Sequence, residues 1–430
     1  MTLHVSPLRI LRTLGAFLAP AILLGLVPAL AGAQTATPTP PPTPVVQPNG
    51  NTSPSPFPTA LRTPEPSTTP PQVRAKAAIL ADLDTGQVLF SLEPGERRPI
   101  ASVTKIMTAL LVLERTDPND VVTVSPIAAG DGRTAGISEL GLVAGERITV
   151  NELLYALLLQ SASDAAIALA EHVSGSVGAF VAAMNRRAER LGLSDTRFFS
   201  PSGLDDRGYS SAKDLLAITR AAYARPGFGS IVATRVHEIP APQGEPVRIV
   251  QNRNVLLWLY PGAVGAKTGF TSAAGYCLVA TAVRDGQRLV TVVLGEPGEP
   301  FSDAAALLNY GFAAFEHREV LAEGRPLGEV DIDGRAVAVE AGGSLEGLVP
   351  VDARARRRIV VSPEAAFPPA LGESVGSVVV SVPGLKIGTV PLVVTSVEPP
   401  PPPDEPGPWW RRAFSAVAGA FDRVLDALFD

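Results

Sequence analysis

Between residues 73 and 318 the chain carries strand-type runs at both ends and a long helical stretch between them. This order constrains the fold more than any other feature. At the front, AAILADLDTGQVLF reads as two strands joined by a turn at Asp84-Thr85-Gly86. At the back, strand character returns at 247–250, 274–282 and 288–294, followed by a closing helix over 301–310. Between them, TKIMTALLVLE places Ile106, Leu110 and Leu113 at helical spacing with Met107 and Leu111 beside them. Segments 150–156, 164–172 and 177–191 repeat that periodicity. Strands clustered at two ends cannot be wound as alternating βαβ units. They predict an α/β (α+β) domain with a mixed sheet and an all-helical subdomain.

The flanks read differently. Arg9 and Arg12 precede an apolar run over 14–26, and Ala31-Gly32-Ala33 supplies a small-x-small pattern, so residues 1–33 read as an export signal. An uncleaved anchor helix is the alternative; Pro20 and Pro28 favour cleavage after Ala33. Residues 34–72 are rich in Pro, Thr and Ser and predict an extended, solvated linker. Over 319–397, two pairs of short β-type runs with turns at Asp333-Gly334 and Pro383-Gly384 predict a small all-β domain. After a proline-rich spacer at 398–408, residues 409–430 place Trp410, Phe414, Val417, Phe421, Val424 and Leu428 on one helical stripe. That helix is too short and too charged to span a bilayer. It fits a membrane interface with Trp409 and Trp410 at headgroup level, the alternatives being docking on its own protein or on a partner.

Composition excludes several chemistries. The net charge of −6 gives no electrostatic reason to expect nucleic acid. One cysteine, Cys277, excludes an intramolecular disulfide and a multi-cysteine metal site, and it reads as a small core residue. Four histidines, of which His172, His237 and His317 show no ligand spacing, leave little for zinc or a Ser/His/Asp triad. Asp205-Asp206 reads as a loop cap, and the basic group Arg354 and Arg356 to Arg358 as a solvated hairpin.

Three short motifs carry the chemistry. Ser102-Val103-Thr104-Lys105 stands at the head of an apolar helix, where residues three apart share a face and a hydroxyl meets an amine. Such a serine needs an adjacent base, and lysine serves only if burial or a second cation lowers its pKa. Ser161-Ala162-Ser163-Asp164 lies between two helices and alone is a good N-cap. Lys267-Thr268-Gly269 precedes the apolar run AGYCLVATA. On an edge strand, its glycine admits close backbone approach while its amine and hydroxyl can meet a carboxylate. Each motif alone is common; the three in this order are specific.

ASVTKIMTALLVLE, LLLQSASDAA, FFSPSGLDD and GAKTGFTSAAGYCLVATA resemble the low-molecular-mass penicillin-binding proteins that are serine D-alanyl-D-alanine carboxypeptidases. The resemblance spans residues 73–316 and implies a penicillin-binding, β-lactamase-like transpeptidase fold with a helical subdomain. The all-β domain and the C-terminal amphipathic helix are similar to that family's terminal module and tether. The resemblance implies Ser102 as acylated nucleophile, Lys105 as general base and Ser161 as proton relay. It further implies Lys267, Thr268, Gly269 and Ser163 as substrate-binding, with the backbone N–H groups of Ser102 and Phe270 as oxyanion hole. It implies peptidoglycan stem peptides as substrate, β-lactams as covalent inhibitors, extracytoplasmic action on the membrane's outer face, and no metal or organic cofactor.

Two positions depart from the family pattern. Ser163 stands where an asparagine is usual, and a hydroxyl is shorter than an amide. The stretch LGEPGEPFSDAAALLNYGF lacks the arginine that usually helps hold the substrate carboxylate. That task then falls to Lys267 and Thr268, or to an arginine from elsewhere, with Arg253 as a candidate. A DD-endopeptidase of cross-links and a catalytically silent wall-binding protein are the rival readings.

Overall fold

The computed structural model describes residues 61, 65–130, 138–383, 385–397, 409–410 and 413–420. The export signal, most of the linker and the 398–408 spacer lie outside the described residues.

Strands β1 (Ala77–Asp82), β2 (Val88–Leu92), β7 (Ala263–Thr271), β8 (Gly275–Arg284) and β9 (Gln287–Glu296) form one antiparallel sheet in the order β2-β1-β9-β8-β7. The two ends of the 73–318 region therefore share a sheet, with β1 hydrogen-bonded to β9. All six residues of β1 are buried. Ala77, Ile79 and Ala81 enter one apolar core while Ala78 and Leu80 enter another. That alternation marks a sheet covered on both faces.

Helix α9 (Pro300–Ala314) covers one face with Ala304, Leu307 and Leu308. On the other face lie α1 (Lys105–Arg115) and α6 (Ala212–Tyr223), with α4 (Ser163–Ser174) packed between α1 and α5 (Val177–Arg190). The sequence reading places no helix over 212–223. Its signals are nonetheless local: Ser211 Oγ accepts from Asp214 N at 3.2 Å, and Leu215, Ile218 and Ala222 form a buried stripe. The helical middle is completed by α2 (Pro126–Ala129), α3 (Val150–Tyr155), α7 (Phe228–Ala233) and α8 (Leu256–Leu259). It also holds two short ladders, β3 (Val121–Thr123) with β4 (Arg147–Thr149) and β5 (Val236–Ile239) with β6 (Arg248–Gln251).

Beyond α9 the chain passes directly into β10 (Phe315–Leu321), which pairs with β13 (Leu345–Pro350). A five-stranded antiparallel sheet follows in the order β11 (Pro326–Ile332), β12 (Arg335–Ala341), β16 (Leu385–Val397), β15 (Ser374–Val382), β14 (Arg356–Val361). Its core includes Val337, Val339, Val378, Val380 and Leu392. The turn between β11 and β12 has Asp333 and Gly334 both at positive φ, the two-residue geometry that fits strand twist. Arg356 to Arg358 lie on the edge strand β14 rather than in a hairpin tip, and charge there discourages pairing with another chain. The Gln87 amide ties this region to the β1–β2 turn, donating to Leu348 O at 2.5 Å and accepting from Leu348 N at 3.2 Å. Among the described residues no single helix is long and apolar enough to cross a membrane.

Candidate active site

A 3-10 turn, Ala101–Thr104, leads directly into α1, so Ser102 and Lys105 straddle the junction of the two. Ala101 adopts φ +46°, a left-handed conformation that a residue with a Cβ pays strain to hold. The turn is fixed from two sides. Gly269 on β7 lies so close that a Cβ there would sit 3.0 Å from Ser102 N and Val103 N. Gly203, at φ +79°, presses on the same turn from the Pro201-Ser202-Gly203 loop, where a Cβ would fall 2.0 Å from Ala101 O. Both glycines serve close backbone approach.

Lys105 Nζ lies 3.0 Å from Ser102 Oγ and donates to Ser202 O at 2.7 Å. The Lys105 side chain is fully buried. Burial first, and then the Arg253 charge, lowers its pKa from 10.5 to about 7, with Asp164 opposing. Near neutral pH a substantial share of the amine therefore lacks its extra proton, and in that form its lone pair can face the serine hydroxyl. Lys267, 1% exposed, donates to Thr268 O at 2.9 Å. Burial, Lys105 and Arg253 all push its pKa down.

Ser161 ends a π-helical turn, Ala156–Gln160, that continues α3 and packs against both α1 and β7. Its φ of +69° is again left-handed, and its side chain is buried. Such π turns recur at functional positions because the extra residue re-aims the chain. Ser163 opens α4, and the cap position is Ala162, without a side-chain cap. The N-cap expected of the Ser161 to Asp164 segment is therefore absent. Asp164 instead turns its carboxylate to the loop at 140–142, accepting from Leu140 N (2.9 Å), Gly141 N (2.9 Å) and Leu142 N (3.1 Å), and from Ala165 N (2.8 Å). Ser163 N donates to Ser138 O at 2.8 Å, so this loop borders the Ser161 segment.

Lys267, Thr268, Gly269 and Phe270 all lie on β7, the sheet's edge strand, whose outer rim has no strand partner among the described residues. The register pairs Phe270 with Tyr276, and their rings meet with centroids 4.5 Å apart and planes tilted by 39°, Phe270 being 55% exposed. Gly269, next to Phe270 in β7, is the point at which the strand meets the Ser102 turn. The structure thus brings the Ser102, Lys105, Lys267, Thr268, Gly269 and Phe270 segments together, with the Ser161 to Ser163 segment against them. Sequence reasoning missed the Ser202 carbonyl, Ser138 and the anchoring role of Asp164, all of which meet the site through folding and carry no local signal. Cys277 is buried beside Pro99 O, as a core residue. Asp205 accepts from Arg207 N at 3.1 Å, the expected loop cap, while Asp206 accepts from Thr271 Oγ1 at 2.8 Å. Among the described residues no cluster of His, Cys, Asp and Glu could hold a metal ion.

A buried lysine poised on a serine, beside a second buried lysine on an edge strand, is equipped for nucleophilic attack on an extended peptide that carries a carboxylate. The comparisons agree. The family model described as D-alanyl-D-alanine carboxypeptidase matches residues 65–298, more than half of the chain. The chain is 40% identical over 251 residues to D-alanyl-D-alanine carboxypeptidase DacB2 of Mycobacterium tuberculosis, covering 56% of this chain and 84% of that protein. It is 33% identical over 344 residues to D-alanyl-D-alanine carboxypeptidase DacA of Haemophilus influenzae, covering 76% of this chain and 86% of that protein. The solved structure of penicillin binding protein 5 from Haemophilus influenzae is similar over 76% of this chain and 98% of that chain, with a TM-score of 0.64 at 32% identity. With its sheet, its serine–lysine pair and its edge-strand lysine accounted for, the chain belongs to the D-alanyl-D-alanine carboxypeptidase family.

Proposed function

We propose that the protein is a serine D-alanyl-D-alanine carboxypeptidase that removes the terminal D-alanine from peptidoglycan stem peptides outside the cytoplasm. The observation that carries this reading is the 3.0 Å approach of the buried Lys105 amine to Ser102 Oγ. In this scheme the neutral Lys105 takes the Ser102 hydroxyl proton as Oγ attacks the penultimate D-alanine carbonyl. The Ser102 and Phe270 N–H groups hold the resulting oxyanion. Collapse breaks the C–N bond, and the leaving amine takes a proton delivered from Lys105 through Ser161. Water then attacks the ester with Lys105 as base, freeing the shortened peptide's carboxylate and restoring Ser102. Lys267, Thr268, Gly269 and Ser163 line the substrate strand. A β-lactam enters the same path at the same serine.

Catalysis is assigned to 73–318 and the small all-β domain to 319–397. Residues 409–430 are assigned to peripheral attachment on the membrane's outer face. In support of the tether, Trp409, Phe414 and Val417 are 81%, 73% and 64% exposed. Deletion of 409–430 should abolish co-sedimentation with anionic phospholipid vesicles; continued pelleting contradicts the tether.

The test of activity is D-alanine release from diacetyl-L-lysyl-D-alanyl-D-alanine by the mature chain, with a cross-linked muropeptide dimer in parallel. Release from the first supports the carboxypeptidase. Cleavage of the dimer alone moves the assignment to an endopeptidase, and inertness toward both to a silent binder.

A further inference from the structure

Ser161 stands at the end of a turn that its own sequence does not favour, and the residues that hold the turn lie outside the reacting groups. The π-helical turn Ala156–Gln160 is wider than an α-helical one, and it delivers Ser161 at φ +69°. Such a conformation persists only where the surroundings over-determine it. Within the segment, Ala162 N donates to Ala156 O at 3.0 Å. Further support comes from the β5–β6 hairpin.

The hairpin grips the turn at both ends. At its start, the His237 ring on β5 lies on the Tyr155 ring, with centroids 3.7 Å apart and planes 12° from parallel. Tyr155 is the last residue of α3 and immediately precedes the π turn. His237 Nε2 also donates to Glu152 Oε2 at 2.9 Å. Glu152 and Tyr155, three apart on α3, share the face that His237 meets. Near the end of the turn, the chain leaving β6 donates from Arg253 N to Leu159 O at 3.1 Å, two residues before Ser161. The Arg253 guanidinium continues to Ser138 Oγ at 2.9 Å. Both grips belong to one piece of structure, since His237 pairs with Val250 across the hairpin and Asn252 N donates to Arg235 O at 2.8 Å. The His237 and Glu152 side chains are 26% and 20% exposed, so their pairing is largely sheltered from the solvent that weakens surface pairs.

We infer that His237 is a positioning residue for Ser161: it clamps Glu152 and Tyr155 so that the π turn presents the serine hydroxyl toward Ser102 and Lys105. The inference rests on the reading of Ser161 as the proton relay. It gives the imidazole a task without placing it among the reacting groups.

The test is a double-mutant cycle on the benzylpenicillin acylation rate, with His237→Ala and His237→Phe each made in the wild type and in Ser161→Ala. Urea midpoints are measured alongside. His237→Ala should slow acylation about 10- to 100-fold when Ser161 is present, the effect of a misplacement of about one ångström. In the Ser161→Ala background it should cost less than about twofold more, because the group it positions is already gone. Its effect on the urea midpoint should be the same in both backgrounds. His237→Phe keeps the ring stack and loses the bond to Glu152, so its loss should be intermediate and again confined to the chain with Ser161. Should His237→Ala fail to fold, His237→Phe carries the same comparison. Equal fold-losses in both backgrounds, or an unchanged rate in the single variants, overturn the inference while leaving Ser161 as relay. A wild-type rate in Ser161→Ala itself overturns the relay reading and the inference with it.

Discussion

Lys105 Nζ sits 3.0 Å from Ser102 Oγ while an N–H of the same amine is committed to Ser202 O at 2.7 Å. The carbonyl aims the amine, and burial removes its extra proton. Replacing Lys105 by methionine keeps much of the volume and removes the base. Acylation by benzylpenicillin should then fall by about 10²–10⁴-fold with the fold intact. A loss below about tenfold would assign the proton to another group.

The lowered pKa of Lys105 sets a pH dependence. Acylation needs the neutral amine, so its second-order rate constant should rise with pH, with a midpoint near the value of about 7, and level off above it. The sign for stability follows from linkage. Between about 7 and 10.5 the unfolded chain binds the Lys105 proton and the folded chain does not, so stability rises with pH across that window. Below it the burial penalty is fully present. Lys267 acts in the same direction. Stopped-flow acylation across pH checks the first statement, and a rate that is flat through neutrality contradicts it.

Gly269→Ala would place a methyl 3.0 Å from Ser102 N and Val103 N, backbone atoms that cannot swing aside. The nucleophile turn must shift, and acylation should fall about 100-fold, the effect of a misplacement near one ångström. Penicillin acylation rates decide this, and a wild-type rate would mean that the turn tolerates displacement.

Asp164 holds the 140–142 loop against α4 through three backbone N–H groups. Asp164→Ala leaves those donors without their acceptor and should cost about 3–5 kcal/mol in urea unfolding. A change within about 0.5 kcal/mol would show that water replaces the carboxylate at no cost.

Much of this architecture was legible in local pattern. The β1–β2 turn, the apolar run of α1 and the Asp333-Gly334 hairpin follow from period and turn chemistry, which are properties of neighbours in sequence. The three motifs were legible for the same reason, as each is a short local spacing. Ser202, Ser138 and Arg253 belong to the site only because distant segments fold together, and sequence alone left Arg253 as a named candidate. The left-handed Ala101 and Ser161 are held against their own preference by tertiary packing, so propensity points away from them. Asp164 shows the converse, a residue whose local pattern suggested a cap and whose carboxylate the fold spends on a loop.

The most direct test of the account is the site of acylation. The mature protein is incubated with benzylpenicillin, digested, and the peptide that contains Ser102 is read by mass spectrometry beside Ser102→Ala. The account predicts one penicilloyl group on Ser102 and none on the variant. An undiminished adduct in Ser102→Ala would contradict it.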